Sequence, residues 1–111
     1  MFEAILGSTS KERVLIYLGV REQGYARDIA RFFNASVTPI QKQLEALEEQ
    51  NVLYSQEQGR TVLYSLNPRY PVIKELRVFL EKALTFYPPE EQEKLLMNRR
   101  RPRRKGKPLA L

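Results

Sequence analysis

The chain has 111 residues, 42% of them hydrophobic, which suffices for one compact core and leaves no room for a second. Its formal net charge is +6, yet Arg99 to Lys107 hold seven Lys and Arg and no acid, leaving 12 basic against 13 acidic residues in Met1–Asn98. Cys and His are both absent, which excludes disulfides, thiolate and imidazole metal sites, Cys nucleophiles and His general bases.

No apolar run approaches the roughly 18 residues needed to cross a bilayer, and Met1–Gly7 lacks the basic region of a signal peptide. A cytoplasmic protein with no membrane partner is expected. Phosphate loops, nucleophile elbows and isolated acidic pairs in loops are all missing. Glu45, Glu48 and Glu49 sit in a helix-like run, where acids form a solvated face. The expectation is therefore a non-enzyme with no cofactor and no metal.

In chain order, Phe2–Leu6 is a short apolar stretch that can add one helical turn. Ser8, Thr9 and Ser10 offer N-caps, and Val14, Leu15 and Leu18 follow at helical spacing, so Lys11 to about Val20 is predicted as a buried helix. Gly24 breaks that pattern. A second helix is predicted from about Ala26 to Phe33, with Ile29, Ala30 and Phe33 inward, and Asn34-Ala35-Ser36 makes a tight polar turn. A third helix begins at Ser36 or Thr38, because Thr38-Pro39-Ile40-Gln41 combines a cap, a proline at the first helical position and a capping-box Gln. Asn51 is its expected stop.

From Val52 the period changes to two, with Val52, Tyr54 and Gln56 on one side and Leu53 and Ser55 on the other. Thr61 to Leu66 repeats the alternation after Gln58-Gly59, which predicts a β-hairpin in which Tyr54 and Tyr64 pack. Asn67-Pro68 and Pro71 close it. Val72 to about Tyr87 then forms a long helix whose apolar positions cover more than one face. Pro88-Pro89 ends it, and Glu90 to Met97 can add one or two turns.

Helix, helix, tight turn, helix and hairpin is the order of a winged helix-turn-helix, in which the second helix of the turn projects into a DNA major groove. The predicted class is mainly α with a small β-hairpin and an additional C-terminal helix. The expected organisation is a winged-helix domain over 1–87, a short helical extension over 88–98 and a disordered basic tail over 99–111.

With about 100° between successive residues, a buried stripe of Ile40, Leu44 and Leu47 leaves Thr38, Lys42, Glu45 and Glu49 opposite, with Pro39 and Gln41 on the flanks. Gln suits adenine, Lys suits guanine or phosphate, and Thr suits a thymine methyl or phosphate. The candidate DNA contacts are Ser36, Thr38, Pro39, Gln41, Lys42 and Gln43, joined by Arg60 and Thr61 at the hairpin tip. Arg99, Arg100, Arg101, Arg103, Arg104, Lys105 and Lys107 are candidate phosphate contacts that would raise affinity without reading sequence. A second apolar stripe on the long helix, through Ile73, Leu76, Leu80 and Leu84, predicts a homodimer.

Leu6 through Leu66 resembles the ArsR-like winged-helix regulators, and Ser36-Val37-Thr38-Pro39-Ile40-Gln41-Lys42-Gln43-Leu44-Glu45-Ala46-Leu47 is similar to their recognition helix. The continuation Leu66-Asn67-Pro68-Arg69-Tyr70-Pro71 with Glu75-Leu76 also resembles winged-helix modules beside or fused to small nucleotidyltransferase domains. Together the resemblances span roughly residues 2–86. They imply a double-stranded DNA-binding transcriptional regulator, a dimeric repressor, with a protein-interaction adaptor for a partner such as a nucleotidyltransferase as the alternative. ArsR metal sensors use Cys or His ligands, so metal sensing does not transfer to a chain with neither.

Overall fold

The computed structural model describes residues 1–96. Its elements are α1 (Glu3–Leu6), α2 (Thr9–Arg21), β1 (Gln23–Tyr25), α3 (Ala26–Phe32), α4 (Val37–Glu49), β2 (Leu53–Gln58), β3 (Thr61–Leu66) and α5 (Ile73–Leu84). A further helix, α6, runs over 89–96. The three strands form one antiparallel sheet in the order β1-β3-β2, and the fold is a winged helix-turn-helix.

At the centre lies α2, which starts two residues earlier than its apolar spacing suggests because the Ser8 hydroxyl accepts from the Lys11 amide at 3.0 Å. Val14, Leu15, Ile16, Tyr17, Leu18 and Val20 are all buried, since α1, α3, α4 and α5 pack around it. Where α2 meets α5 the contact is close. A Cβ at Gly19 would lie 3.2 Å from Leu80, so the small residue sets how near the two helices come.

Gly24 does not merely break a helix. It lies in β1, paired with Tyr64 of β3, and a Cβ there would fall 2.7 Å from the Tyr17 ring. This third strand was not anticipated, because three residues carry no period and pair only with a segment forty residues on. The hairpin itself is as expected, running from Leu53↔Leu66 to Gln58↔Thr61. Strand faces are a partial correction. Val52 precedes β2 and is buried together with Leu53, since its amide donates to the Leu47 carbonyl at the end of α4. Tyr64 is packed at 4% exposure, whereas Tyr54 is 38% exposed and does not share the packing role.

Within the segment expected as a short helical extension, α6 packs on the domain. Leu95 of α6 is fully buried, and the Arg21 guanidinium, lying over the Tyr17 and Phe32 rings, donates to the Leu95 carbonyl at 3.1 Å. The core thus extends through α6. Behind it, Glu12 is buried at 3% exposure and accepts from the Phe2 amide at 2.7 Å and from the Tyr87 hydroxyl, which ties both ends of the domain to α2. Burial and that carboxylate push the Tyr87 phenol up. No helix among the described residues is long and apolar enough to cross a membrane. The basic segment Arg99 to Lys107 lies outside the described residues.

Candidate nucleic-acid interface

The turn between α3 and α4 sets the geometry. Asn34 adopts φ +54°, a left-handed conformation that its short polar side chain tolerates, and the Ala35 amide donates to the Ala30 carbonyl at 2.9 Å. Ser36 is then extended, and α4 begins at Val37. Thr38 is therefore not the cap, and Pro39 is the third helical residue, where its missing N–H still costs no intrahelical bond. The Ser36 hydroxyl makes no capping bond and the first turn contains no acid. The positive end of the helix dipole thus faces outward beside the exposed Ser36, Thr38 and Pro39.

Along α4 the expected division holds, with Ile40, Leu44 and Leu47 buried and Thr38, Lys42, Glu45 and Glu49 exposed. Gln43 is half-buried. Gln41 departs from its expected role. Instead of reaching back to close a capping box, its amide nitrogen donates to Glu45 at 3.0 Å and to the Tyr64 hydroxyl at 3.2 Å. Helix α4 is thereby pinned to β3, the central strand of the sheet. Burial pushes the Tyr64 phenol up, partly offset by the Gln41 bond. Farther along, the Ser55 hydroxyl donates to Glu48 at 2.5 Å, a second tie between α4 and the hairpin.

At the tip of the wing, Gly59 has φ +64° as the first central position of a two-residue turn, which favours glycine. Arg60 is exposed and makes no ion pair among the described residues. Thr61 is exposed too, but its hydroxyl donates back to the Gln58 carbonyl at 2.8 Å and so stays within the turn. Because β3 is paired on both sides, the wing root is fixed to the segment that leads into α3.

Between α3, the start of α4 and the wing lies a groove of about 390 Å³. Two of the candidate contacts, Arg60 and Gln41, line it, and Arg27 and Arg31 join them from α3. Sequence reasoning missed those two arginines. Their four-residue spacing, with Ile29 and Ala30 turned inward between them, was the available signal. Arg31 pairs with Asp28 at 3.0 Å on the surface.

The residues expected at a dimer interface are placed differently. Ile73 and Leu80 are 7% and 3% exposed within the single chain, Leu80 against Gly19, so they have little surface left for a partner. Leu76 and Leu84 are half-buried against the same core. Among the exposed apolar residues are Ile5 on α1, Val78 on α5 and Phe86 just after it, at 72%, 64% and 58%. The Phe2 ring joins these elements, edge-on to Phe79 at 5.9 Å and to Phe86 at 6.2 Å.

No family model matches the sequence, and no curated protein matches it. Solved structures do match. The antimony-specific transcriptional repressor AntR superposes with a TM-score of 0.61 at 20% identity, over 82% of this chain and 76% of that one. A double mutant of Lactococcus lactis ZitR in apo form gives 0.53 at 28% identity, over 81% and 76%. The adhesin competence repressor AdcR from Streptococcus pyogenes gives 0.53 at 16% identity, over 85% and 78%. The likeness is one of fold, to winged-helix transcriptional repressors. A metal site on thiolate or imidazole ligands does not fit this chain, which has neither Cys nor His, and among the described residues no three potential ligands converge.

Proposed function

We infer that the chain is a sequence-specific double-stranded DNA-binding transcriptional regulator without catalytic activity, acting as a dimeric repressor. The observation that carries this reading is the outer face at the start of α4. An uncapped helix N-terminus with no acid in its first turn stands beside exposed Thr38 and Lys42, next to a wing that ends in Arg60, which makes no ion pair among the described residues. Backbone amides and a helix dipole favour phosphates, and Lys and Thr side chains can contact base edges in the major groove. The acids of α4, Glu45, Glu48 and Glu49, lie toward its other end and orient the helix so that it enters the groove N-terminus first.

For the dimer, the supporting feature is the set of exposed apolar side chains Ile5, Val78 and Phe86, the last edge-on to the Phe2 ring. A two-fold contact there would cover it on both subunits and present two recognition helices to one duplex. The cations of Arg99 to Lys107 add sequence-independent phosphate contacts in this scheme.

The test is selection of bound duplexes from a random pool at a fixed salt concentration, followed by Lys42→Ala on the selected site. Enrichment of one sequence, with weaker binding by the variant, is the expected result. Failure to enrich any duplex would overturn the reading. The near-neutral body, 12 basic against 13 acidic residues before Arg99, would then favour an adaptor that holds a partner such as a nucleotidyltransferase.

A further inference from the structure

The groove between α3, α4 and the wing is an electrostatic exception on this molecule. Its walls carry three guanidinium groups, those of Arg27, Arg31 and Arg60, against the single carboxylate of Asp28. The body around it, to Asn98, has 9 basic against 12 acidic residues, three more acids than bases. Between the arginines the lining is mostly apolar, supplied by Tyr25, Ala26, Val37 and Val62 beside the polar Gln41 and Thr61. Val37 is 45% exposed although apolar. An occupant must therefore combine repeated negative charge with apolar faces, and it must lie across the start of α4 and the tip of the wing.

On the DNA-binding reading above, we propose that this groove seats one sugar–phosphate strand of the duplex, and that Asp28 is a built-in attenuator of that contact. Deoxyribose faces lie on Tyr25, Val37 and Val62, while phosphates are met by Arg27, Arg31 and Arg60. The chain's own basic segment is unsuited to the groove because like charges repel. Two of the three arginines are available at once, since neither Arg27 nor Arg60 makes an ion pair among the described residues. Arg31 is held by Asp28 at 3.0 Å, one helical turn away on the exposed surface of α3. Such an exposed pair is weak, so a phosphate can take Arg31 from it, but the bond to Asp28 must first be broken, and that competition for the guanidinium lowers the affinity. Affinity is set below what three arginines would give.

The experiment measures affinity of the full chain for its selected duplex and for a random duplex of equal length, across a salt series. Arg27→Ala and Arg31→Ala should each weaken both duplexes by about two- to fivefold, and each should make the slope of log K against log salt shallower by about 0.9. Asp28→Asn should strengthen both duplexes by a similar factor. In the Arg31→Ala background the gain from Asp28→Asn should shrink, because there is no arginine left to release. A gain of unchanged size in that background would overturn the attenuator. Arginine variants that bind both duplexes with wild-type affinity and slope would overturn the seat, and if Lys42→Ala still weakened binding, the DNA-binding reading would stand without it. Wild-type protein that bound no duplex would remove both. Preference of the groove for an acidic peptide, seen as peptide binding lost on Arg27→Ala with duplex binding unchanged, also counts against the seat.

Discussion

Gln41 is the residue whose role the structure changes most, and magnitudes decide what it can do. A bidentate contact to adenine uses one amide hydrogen and the carbonyl oxygen, and is worth about 1–3 kcal/mol of discrimination. Both amide hydrogens are already engaged, one with Glu45 and one with Tyr64. Giving up Tyr64, a residue 4% exposed, would leave a buried hydroxyl without its donor at a cost of about 1–3 kcal/mol, which cancels the gain. Giving up Glu45 forfeits only a solvated i,i+4 contact of about 0.2–0.5 kcal/mol. Gln41 should therefore read a base while still anchored to Tyr64. Tyr64→Phe, which removes only the anchoring oxygen, is expected to flatten base preference at one position of the selected site, as Gln41→Ala does. The double variant should lose no more than either single one. Glu45→Ala should keep the preference and raise affinity slightly for every duplex. Titration of single-base variants of the site at one salt concentration measures all four proteins. Full base preference in Tyr64→Phe, with Gln41→Ala relaxed, would refute the anchored geometry.

Val78→Glu, at a position 64% exposed, should turn a dimer into a correctly folded monomer by sedimentation; a wild-type monomer at micromolar concentration would remove the dimer from the reading. Leu95→Ala should cost about 2–5 kcal/mol in urea unfolding because Leu95 is fully buried, whereas α6 acting as a loose spacer would give a change near zero. Stability should fall as pH rises above about 10. Burial pushes up the phenols of Tyr17, Tyr64 and Tyr87, so the unfolded chain loses protons there that the folded chain retains. Equal urea midpoints at pH 9 and pH 11 would contradict this, and Tyr87→Phe should reduce the drop.

What could be read from the sequence follows the range of the interactions involved. The stripe Ile40, Leu44, Leu47, the tight polar turn that begins at Asn34 and the glycine turn of the hairpin are local signals, each complete within a few residues, and each is where the sequence pattern predicts. Strand β1 exists only because Gln23, Gly24 and Tyr25 meet Ser65, Tyr64 and Leu63. Nothing within three residues can announce that pairing. Leu95 was hidden for a similar reason: a lone buried leucine among Glu, Gln and Lys has no period, and only its fit at the end of α2 makes it core. In α5 the pattern was read correctly as broad but assigned wrongly. Ile73 and Leu80 mark the intramolecular stripe, and the surface left for a partner passes through Val78.

The same distinction applies to the candidate site. Lys42 and Arg60 were visible because each lies on a face that local geometry turns outward. Arg27 and Arg31 gain meaning only when the wing folds over toward α3 and places Arg60 opposite them. A total charge could not show this, since the groove draws its sign from three arginines while the rest of the body to Asn98 holds 9 basic against 12 acidic residues. For such a surface, attraction to a polyanion depends on where the cations stand, because exposed charges farther apart than about 8–10 Å are largely screened at physiological salt. On the proposed DNA-binding reading, the acids along α4 help rather than oppose binding. By making the far end of the helix unfavourable near phosphate, they leave its N-terminal end, with Thr38 and Lys42, as the approach that costs least.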